Sequence, residues 1–258
     1  MYLFSTEDGT MLHYDRIGEG EPVYFFHPPA LGAAVFTEQT PLAEWYKLVA
    51  LNARGHALSE SGREPLSLKL WAEDARALAD YEQDERVVLV GYSCGGLAAL
   101  EFALRFPKRV RGLVLIGGFP VVDTLLLERE FRLGVYAAEH TWQSLMSKVL
   151  SRSHTKHKEA RERMRRTVQS VQSDVLASWY RAGVEADYTN ALGQLTAPTL
   201  LVYGIHDRYV QGYQSTFYEQ VKKARIDTVY IDGVGHQVPT RRSKEFNAVL
   251  RSFLMNNP

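Results

Sequence analysis

Short apolar runs alternate with amphipathic stretches over the first 119 residues of the chain. The apolar runs have strand length and predict β-strands at residues 11–14, 23–26, 47–53, 87–90 and 110–116. The stretches between them with helical spacing predict helices at residues 67–81 and 97–106, and Ser67 is a typical N-cap for the first. Strands that alternate with helices are typical of βαβ units. The pattern therefore predicts an α/β fold, with a mostly parallel sheet and helices on both faces.

This alternation stops near Phe119 and resumes at Pro198. The intervening segment has no clear buried strand and predicts helices at residues 124–133, 142–150, 158–171 and 174–186. After it, the pattern predicts strands at residues 199–203 and 228–231 and helices at residues 213–223 and 239–255. A helical insertion between two parts of one sheet is typical of a cap. We therefore expect a core formed by residues 1–119 and 196–258, and a helical cap (lid) at residues 120–195.

Composition and charge exclude several classes of protein. The 258 residues include 30 Lys+Arg and 30 Asp+Glu, and this neutrality argues against a general nucleic-acid binder. A hydrophobic share of 45% argues against a disordered chain. Cys94 is the only cysteine, so an intramolecular disulfide is excluded.

The N-terminal residues and the apolar runs bear on location. No run approaches the about 18 apolar residues that a membrane span requires. The N-terminal residues also lack the basic region of a signal peptide. We therefore expect a cytoplasmic protein without a membrane span.

The strongest chemical motif lies at residues 91–95, which read GYSCG and fit the pattern G-x-S-x-G. It stands between a predicted strand and a predicted helix, the context in which a serine is held on a sharp turn at the carboxyl edge of a sheet. The simpler alternative is an ordinary glycine-rich turn. No lysine follows in the position of a phosphate-binding loop, so the motif predicts that Ser93 is a nucleophile.

A serine nucleophile needs a base and an acid that orients the base. His236 follows the predicted strand 228–231 and Asp207 follows the predicted strand 199–203, so both lie where parallel sheets assemble their sites. Asp123 is an alternative acid, although it could also serve as an N-cap of the helix that follows it. The chain order Ser93, Asp207, His236 predicts a catalytic triad.

With these motifs, the sequence resembles the α/β-hydrolase superfamily, and the resemblance extends over essentially the whole chain. Residues 52–59 read NARGHALS and resemble the family segment R-G-H-G-x-S, with Ala57 in place of the second glycine. Residues 198–204 read PTLLVYG and resemble the strand that leads to the family's acid. The resemblance implies an eight-stranded sheet, a cap inserted after the sixth strand, and no cofactor.

The loop predicted to complete the oxyanion hole departs from the family pattern. The resemblance assigns one backbone donor to Cys94 and a second to a loop of the form H-G-x-G. Here residues 27–32 read HPPALG, and proline has no N–H to donate. Either Ala30 serves as the second donor or one donor is absent; we expect Ala30, with His27 holding the loop by hydrogen bonds.

A basic segment, a pair of histidines and the Cys94 thiol each allow more than one interpretation. Residues 151–166 hold seven basic and two acidic residues, which indicates a solvated face or an electropositive cap that attracts anionic substrates or a partner. His154 and His157 have helical spacing but no third ligand nearby, so we expect no metal site. The Cys94 side chain is either a small packed group, as we expect, or a reactive thiol at a helix N-terminus.

The resemblance implies a serine hydrolase of the carboxylesterase type, acting on a small-molecule acyl substrate such as an ester, thioester or lactone. Another class is a hydrolase-like receptor or signalling protein that binds a small ligand and turns over poorly. A carbon–carbon bond hydrolase, a perhydrolase and a proline-type aminopeptidase on the same fold are further alternatives.

Overall fold

Eight β-strands form one sheet at the centre of the computed structural model, which describes residues 2–257. They are β1 (Tyr2–Ser5), β2 (Met11–Ile17), β3 (Glu21–Phe26), β4 (Tyr46–Leu51), β5 (Val87–Tyr92), β6 (Val110–Ile116), β7 (Thr199–Gly204) and β8 (Ile226–Ile231). Their order across the sheet is β1-β2-β4-β3-β5-β6-β7-β8. Only the pairs of β2 with β1 and with β4 are antiparallel. The predicted fold class, a mostly parallel eight-stranded sheet, is confirmed.

Nine α-helices accompany the sheet in residues 2–257. They are α1 (Leu68–Tyr81), α2 (Gly95–Arg105), α3 (Leu125–Glu139), α4 (Gln143–His154), α5 (Lys158–Ser170), α6 (Ser173–Glu185), α7 (Tyr213–Gln220), α8 (Val238–Arg241) and α9 (Ser243–Asn256). The prediction of one helix over 239–255 is wrong in detail, because Arg242, with φ −130° and ψ 45°, leaves the helical conformation between α8 and α9. A 3₁₀ segment at Ala33–Glu44, which contains Pro41, was not predicted.

The core is densest around the central strands. Every residue of β5 and of β7 is buried, so both faces of the sheet are covered by other elements. The edge strand β1 was missed by sequence reasoning because it buries only Phe4, which leaves no apolar alternation to detect.

Four helices, α3 to α6, lie between β6 and β7, and we call residues 120–195 the helical insertion. Its two ends meet in an antiparallel bridge between Val121 and Asp187. Trp179 of the insertion donates from Nε1 to the Arg54 carbonyl oxygen at 2.9 Å, which ties α6 to the loop after β4. The predicted core of residues 1–119 and 196–258 begins and ends at residues outside those described.

Candidate active site

Ser93 lies on a sharp turn between β5 and α2 with a left-handed backbone, φ +54°. The turn depends on close approach of backbone. A Cβ on Gly91 would lie 2.5 Å from the Gly96 Cα, and one on Gly95 would lie 2.2 Å from the Phe26 carbonyl oxygen. Only glycine fits such distances, so the G-x-S-x-G spacing is what allows the turn to place Ser93 at the carboxyl edge of the sheet.

The structure brings His236 and Asp207 together at the same edge. His236 Nδ1 donates to Asp207 Oδ2 at 2.7 Å, and the Asp207 carboxylate is buried. Asp207 Oδ1 accepts the backbone N–H of Tyr209 at 3.2 Å, which fixes the orientation of the carboxylate. With Nδ1 protonated and held, Nε2 of a neutral His236 is the free ring nitrogen, as a general base requires.

Gly117 makes room for the His236 imidazole, and sequence reasoning gave it no functional role. Its φ is +55°, and a Cβ there would lie 2.6 Å from His236 Cε1. The signal that could have shown its importance is its position at the carboxyl end of β6, the same edge that carries the other residues of the site.

Ser93 and His236 open on one cavity of about 230 Å³, between the sheet edge and the helical insertion. Its lining is Pro28, Pro29, Leu31, Tyr92, Ser93, Cys94, Leu127, Glu130, Phe131, Val149, Leu150, Ser153, His154, Tyr180, Tyr209, His236 and Gln237. Within residues 2–257, no hydrogen bond joins Ser93 Oγ to His236. Such bonds often tighten only once a substrate is bound.

Asp123, the alternative acid, faces a different partner. Its Oδ1 accepts a hydrogen bond from the Tyr213 hydroxyl at 2.5 Å, and its backbone N–H donates to the Tyr213 hydroxyl oxygen at 3.2 Å. The geometry therefore favours Asp207 as the acid.

Two buried imidazoles cross-link the loop at residues 27–30 with the loop at residues 53–56. His27 Nε2 accepts the Ala53 N–H at 3.0 Å, and its Nδ1 donates to the Pro28 carbonyl oxygen at 2.8 Å. His56 Nε2 accepts the Ala30 N–H at 3.1 Å. Burial lowers the pKa of His56 to about 4 and that of His27 well below its usual value, so both rings are neutral acceptors. The expectation that His27 holds this loop is confirmed.

The bond to His56 bears on Ala30 as an oxyanion donor. Ala30 has φ +74° and is fully buried, and its N–H, expected to face the oxyanion, is already donated to His56. The partners lie 26 residues apart in the chain, so the sequence pattern could not show this bond. Of the two expected oxyanion donors, the backbone N–H of Cys94, the N-cap residue of α2, is therefore the one that does not donate to His56 in this arrangement.

The Cys94 thiol is buried, and burial raises its pKa to about 12. A thiol that stays protonated near neutral pH is a poor nucleophile. The structure therefore favours the interpretation of Cys94 as a packed side chain over that of a reactive thiol.

The basic segment at residues 151–166 contributes only Ser153 and His154 to the cavity lining. Arg163 instead pairs with Asp15 at 2.7 Å, and Arg161 donates to the Thr155 carbonyl oxygen at 3.0 Å. The sequence allowed either a solvated face or an electropositive cap for this segment. These two arginines do not contribute to an electropositive entrance of the cavity.

His154, which the sequence raised only as a possible metal ligand, lines the cavity. Its Nδ1 donates to the Leu150 carbonyl oxygen at 2.8 Å, and its Nε2 accepts from the Tyr92 hydroxyl at 3.2 Å. Burial lowers its pKa to about 4, so the ring is neutral. His154 thereby links α4 to the residue that precedes Ser93.

No group of three or more His, Cys, Asp or Glu side chains within residues 2–257 could hold a metal ion. No helix of the described residues combines the length and the apolar character that crossing a membrane requires.

The sheet order, the serine on a left-handed turn after β5, and the acid–histidine pair after β7 and β8 define a protein of the α/β-hydrolase superfamily. Within it, the chain belongs to the serine aminopeptidase S33 family, whose model matches residues 42–240.

Similar proteins include hydrolases and a haloperoxidase. The chain is 29% identical over 234 residues to 2-hydroxy-6-oxononadienedioate/2-hydroxy-6-oxononatrienedioate hydrolase 2 of Pseudomonas putida, covering 77% of this chain and 76% of that protein. It is 26% identical to the non-heme haloperoxidase of Rhodococcus erythropolis, and the match covers 98% of this chain and 99% of that protein. The solved esterase of Exiguobacterium antarcticum superposes with a TM-score of 0.85 at 21% identity, covering 98% of each chain, which shows the shared fold.

Proposed function

We propose that this α/β-hydrolase cleaves a small ester, thioester or lactone through an acyl-enzyme on Ser93. The observation that carries the proposal is the 2.7 Å contact between His236 and buried Asp207, beside a serine that opens on the same cavity. We also propose that the helical insertion, residues 120–195, is a cap that closes the cavity with apolar side chains. The reaction needs no cofactor.

In the proposed mechanism, Ser93 Oγ attacks the acyl carbon while His236 Nε2 takes the hydroxyl proton. His236 then gives this proton to the leaving group, and a water molecule activated by the same nitrogen releases the acyl group. Asp207 holds the imidazole in the required tautomer and stabilises the imidazolium.

The oxyanion that forms on the acyl group needs hydrogen-bond donors. The Cys94 N–H at the N-terminus of α2 is the proposed first donor. Ala30 N–H is the proposed second donor in a rearranged loop, in which His56 has released it.

Replacement of Ser93 tests the proposal directly. Ser93→Ala should lower turnover of an activated ester by about 10⁴-fold or more, because the acyl-enzyme cannot form. A fluorophosphonate probe should label Ser93 in the wild-type protein and leave Ser93→Ala unlabelled. Ser153→Ala is the matched control, since its hydroxyl also lies at the cavity but donates to the Leu150 carbonyl oxygen at 2.9 Å. Near-wild-type turnover by Ser93→Ala would contradict the mechanism.

A second candidate function, a small-molecule receptor with weak turnover, is favoured by the oxyanion loop. Pro28 and Pro29 have no N–H, and the Ala30 N–H is held by His56. Loss of one oxyanion donor lowers turnover by about 10²–10³-fold in other enzymes.

A panel of nitrophenyl esters with different acyl lengths separates the two functions. Robust turnover of any member supports the hydrolase. Absence of turnover across the panel, together with tight binding of a small ligand, supports the receptor. Carbon–carbon bond hydrolysis, perhydrolysis and cleavage after an N-terminal proline would use the same serine, and matched substrates distinguish them.

A further inference from the structure

We propose that the cavity selects its substrate by charge, accepting neutral and cationic chains and disfavouring anionic ones, with the Glu130 carboxylate at its mouth as the determinant. This inference rests on the proposed function, because it names the substrate class of the same site.

The lining of the cavity is unbalanced in charge. Leu127, Phe131, Val149 and Leu150 make one wall apolar. No lysine or arginine lines the cavity in the part of the chain that the structure describes, and Glu130 is the one carboxylate in the lining. An anionic substrate group would thus lose hydration without gaining a positive partner.

Glu130 has no positive partner at helical spacing on α3, and the adjacent Arg129 forms no ion pair with it among the described residues. The residues three and four positions away along α3 are uncharged: Leu126, Leu127, Leu133 and Gly134. No ion pair within 4.0 Å involves Glu130 among residues 2–257, whereas Glu128 pairs with Arg132 at 2.7 Å. The Glu130 side chain is exposed, and its charge is felt by a residue of the cavity lining. Burial raises the pKa of the Tyr180 hydroxyl, and the negative charge of Glu130 raises that pKa further.

Three arginines of the basic segment are engaged away from Glu130. Arg163 is engaged by Asp15, Arg161 by a backbone carbonyl oxygen, and Arg165 lies 3.8 Å from Glu162. A substrate ammonium group therefore meets an unpaired carboxylate at the entrance, and a substrate carboxylate meets a like charge.

Three methyl esters of similar length test the preference: methyl 6-aminohexanoate (cationic), methyl heptanoate (neutral) and monomethyl adipate (anionic). We expect kcat/KM to fall in that order, with a cation-to-anion ratio of about tenfold at low ionic strength, as for an interaction with one exposed charge. The ratio should shrink in about 0.5 M NaCl, because salt screens exposed charges.

Two variants assign the preference to one side chain. Glu130→Gln should reduce the cation-to-anion ratio several-fold, towards unity. Glu128→Gln removes the same charge from the same helix but outside the cavity lining, and should keep the wild-type ratio. An unchanged ratio in Glu130→Gln, or a wild-type preference for monomethyl adipate, overturns the inference.

A binding measurement separates this inference from the proposed function. Failure to hydrolyse even methyl heptanoate counts against the hydrolase and says nothing about charge. Calorimetric titration with hexylammonium and with hexanoate needs no turnover. Tighter binding of hexylammonium, lost in Glu130→Gln, supports the charge preference, and equal or tighter binding of hexanoate overturns it.

Discussion

Ser93 and His236 depend on backbone conformations that most residues avoid. The left-handed φ of Ser93 costs on the order of 1–2 kcal/mol, which the packing of β5 against α2 must offset. Gly117, also left-handed, leaves the space that the His236 ring occupies. The proposed chemistry therefore depends on glycines without side chains as well as on the side chains of Ser93 and His236.

A substitution that keeps the size of Asp207 but removes its charge tests its proposed role as the acid of the triad. Asp207→Asn keeps the size of the side chain but removes the charge that stabilises the imidazolium, and it favours the wrong His236 tautomer. We expect kcat on an activated ester to fall by about 10²–10⁴-fold. Asp123→Asn is the matched control and should change kcat by less than about tenfold. The reverse pattern, with Asp123 the sensitive position, would show that the acid has been assigned wrongly.

At the scale of elements, Arg54 joins three parts of the structure. Its guanidinium donates twice to Asp74 of α1, at 2.9 and 2.8 Å, and once to Asp8 in the β1–β2 turn, at 2.7 Å. Its carbonyl oxygen accepts from Trp179 of the helical insertion and from His56 Nδ1. The segment that resembles R-G-H-G-x-S thus supports the site by holding elements together.

Removal of this guanidinium should destabilise the fold. Arg54→Met leaves the Asp74 carboxylate buried without a partner, so the free energy of unfolding should fall by about 3–5 kcal/mol. Arg76→Met is the control, because Arg76 pairs with Asp80 on the surface of α1, and exposed pairs contribute about 0–1 kcal/mol. Urea unfolding monitored by circular dichroism measures both. Equal losses in the two variants would contradict a special role for Arg54.

At the scale of the whole molecule, buried neutral histidines make stability depend on pH. The pKa values of His56 and His154 are lowered to about 4 by burial, so the unfolded chain binds more protons than the folded protein between pH 4 and 6.5. Their contribution is complete above the unfolded pKa of about 6.5 and is lost as the pH falls towards 4.

We therefore expect the free energy of unfolding to fall between pH 7 and pH 5, by about 2 kcal/mol for each such histidine. His154→Gln removes one of these groups and should lose about 2 kcal/mol less over the same interval. Urea titrations at the two pH values measure the difference. A His154→Gln variant with the wild-type pH dependence would count against a buried neutral His154 in the folded protein.

Local spacing was enough to predict seven of the eight strands and to nominate the members of the proposed triad. Gly91 and Gly95 give the G-x-S-x-G spacing that marks the turn, and parallel strands bring their carboxyl ends to one edge. Ser93, Asp207 and His236 could therefore be read from strand ends and chain order. β1 could not, because an edge strand with one buried side chain leaves too little pattern.

Tertiary packing alone decided what surrounds the proposed triad. The bond from Ala30 to His56 and the bond from Tyr92 to His154 join residues 26 and 62 positions apart, and no local periodicity records such contacts. Glu130 is an ordinary polar position of an amphipathic helix until α3 is placed over the cavity. Most of the backbone framework and the candidate reactive groups follow from the sequence alone, because hydrophobic spacing and the order of strand ends along the chain record them. The charge of the entrance and the state of the oxyanion loop were decided by how distant helices and loops pack.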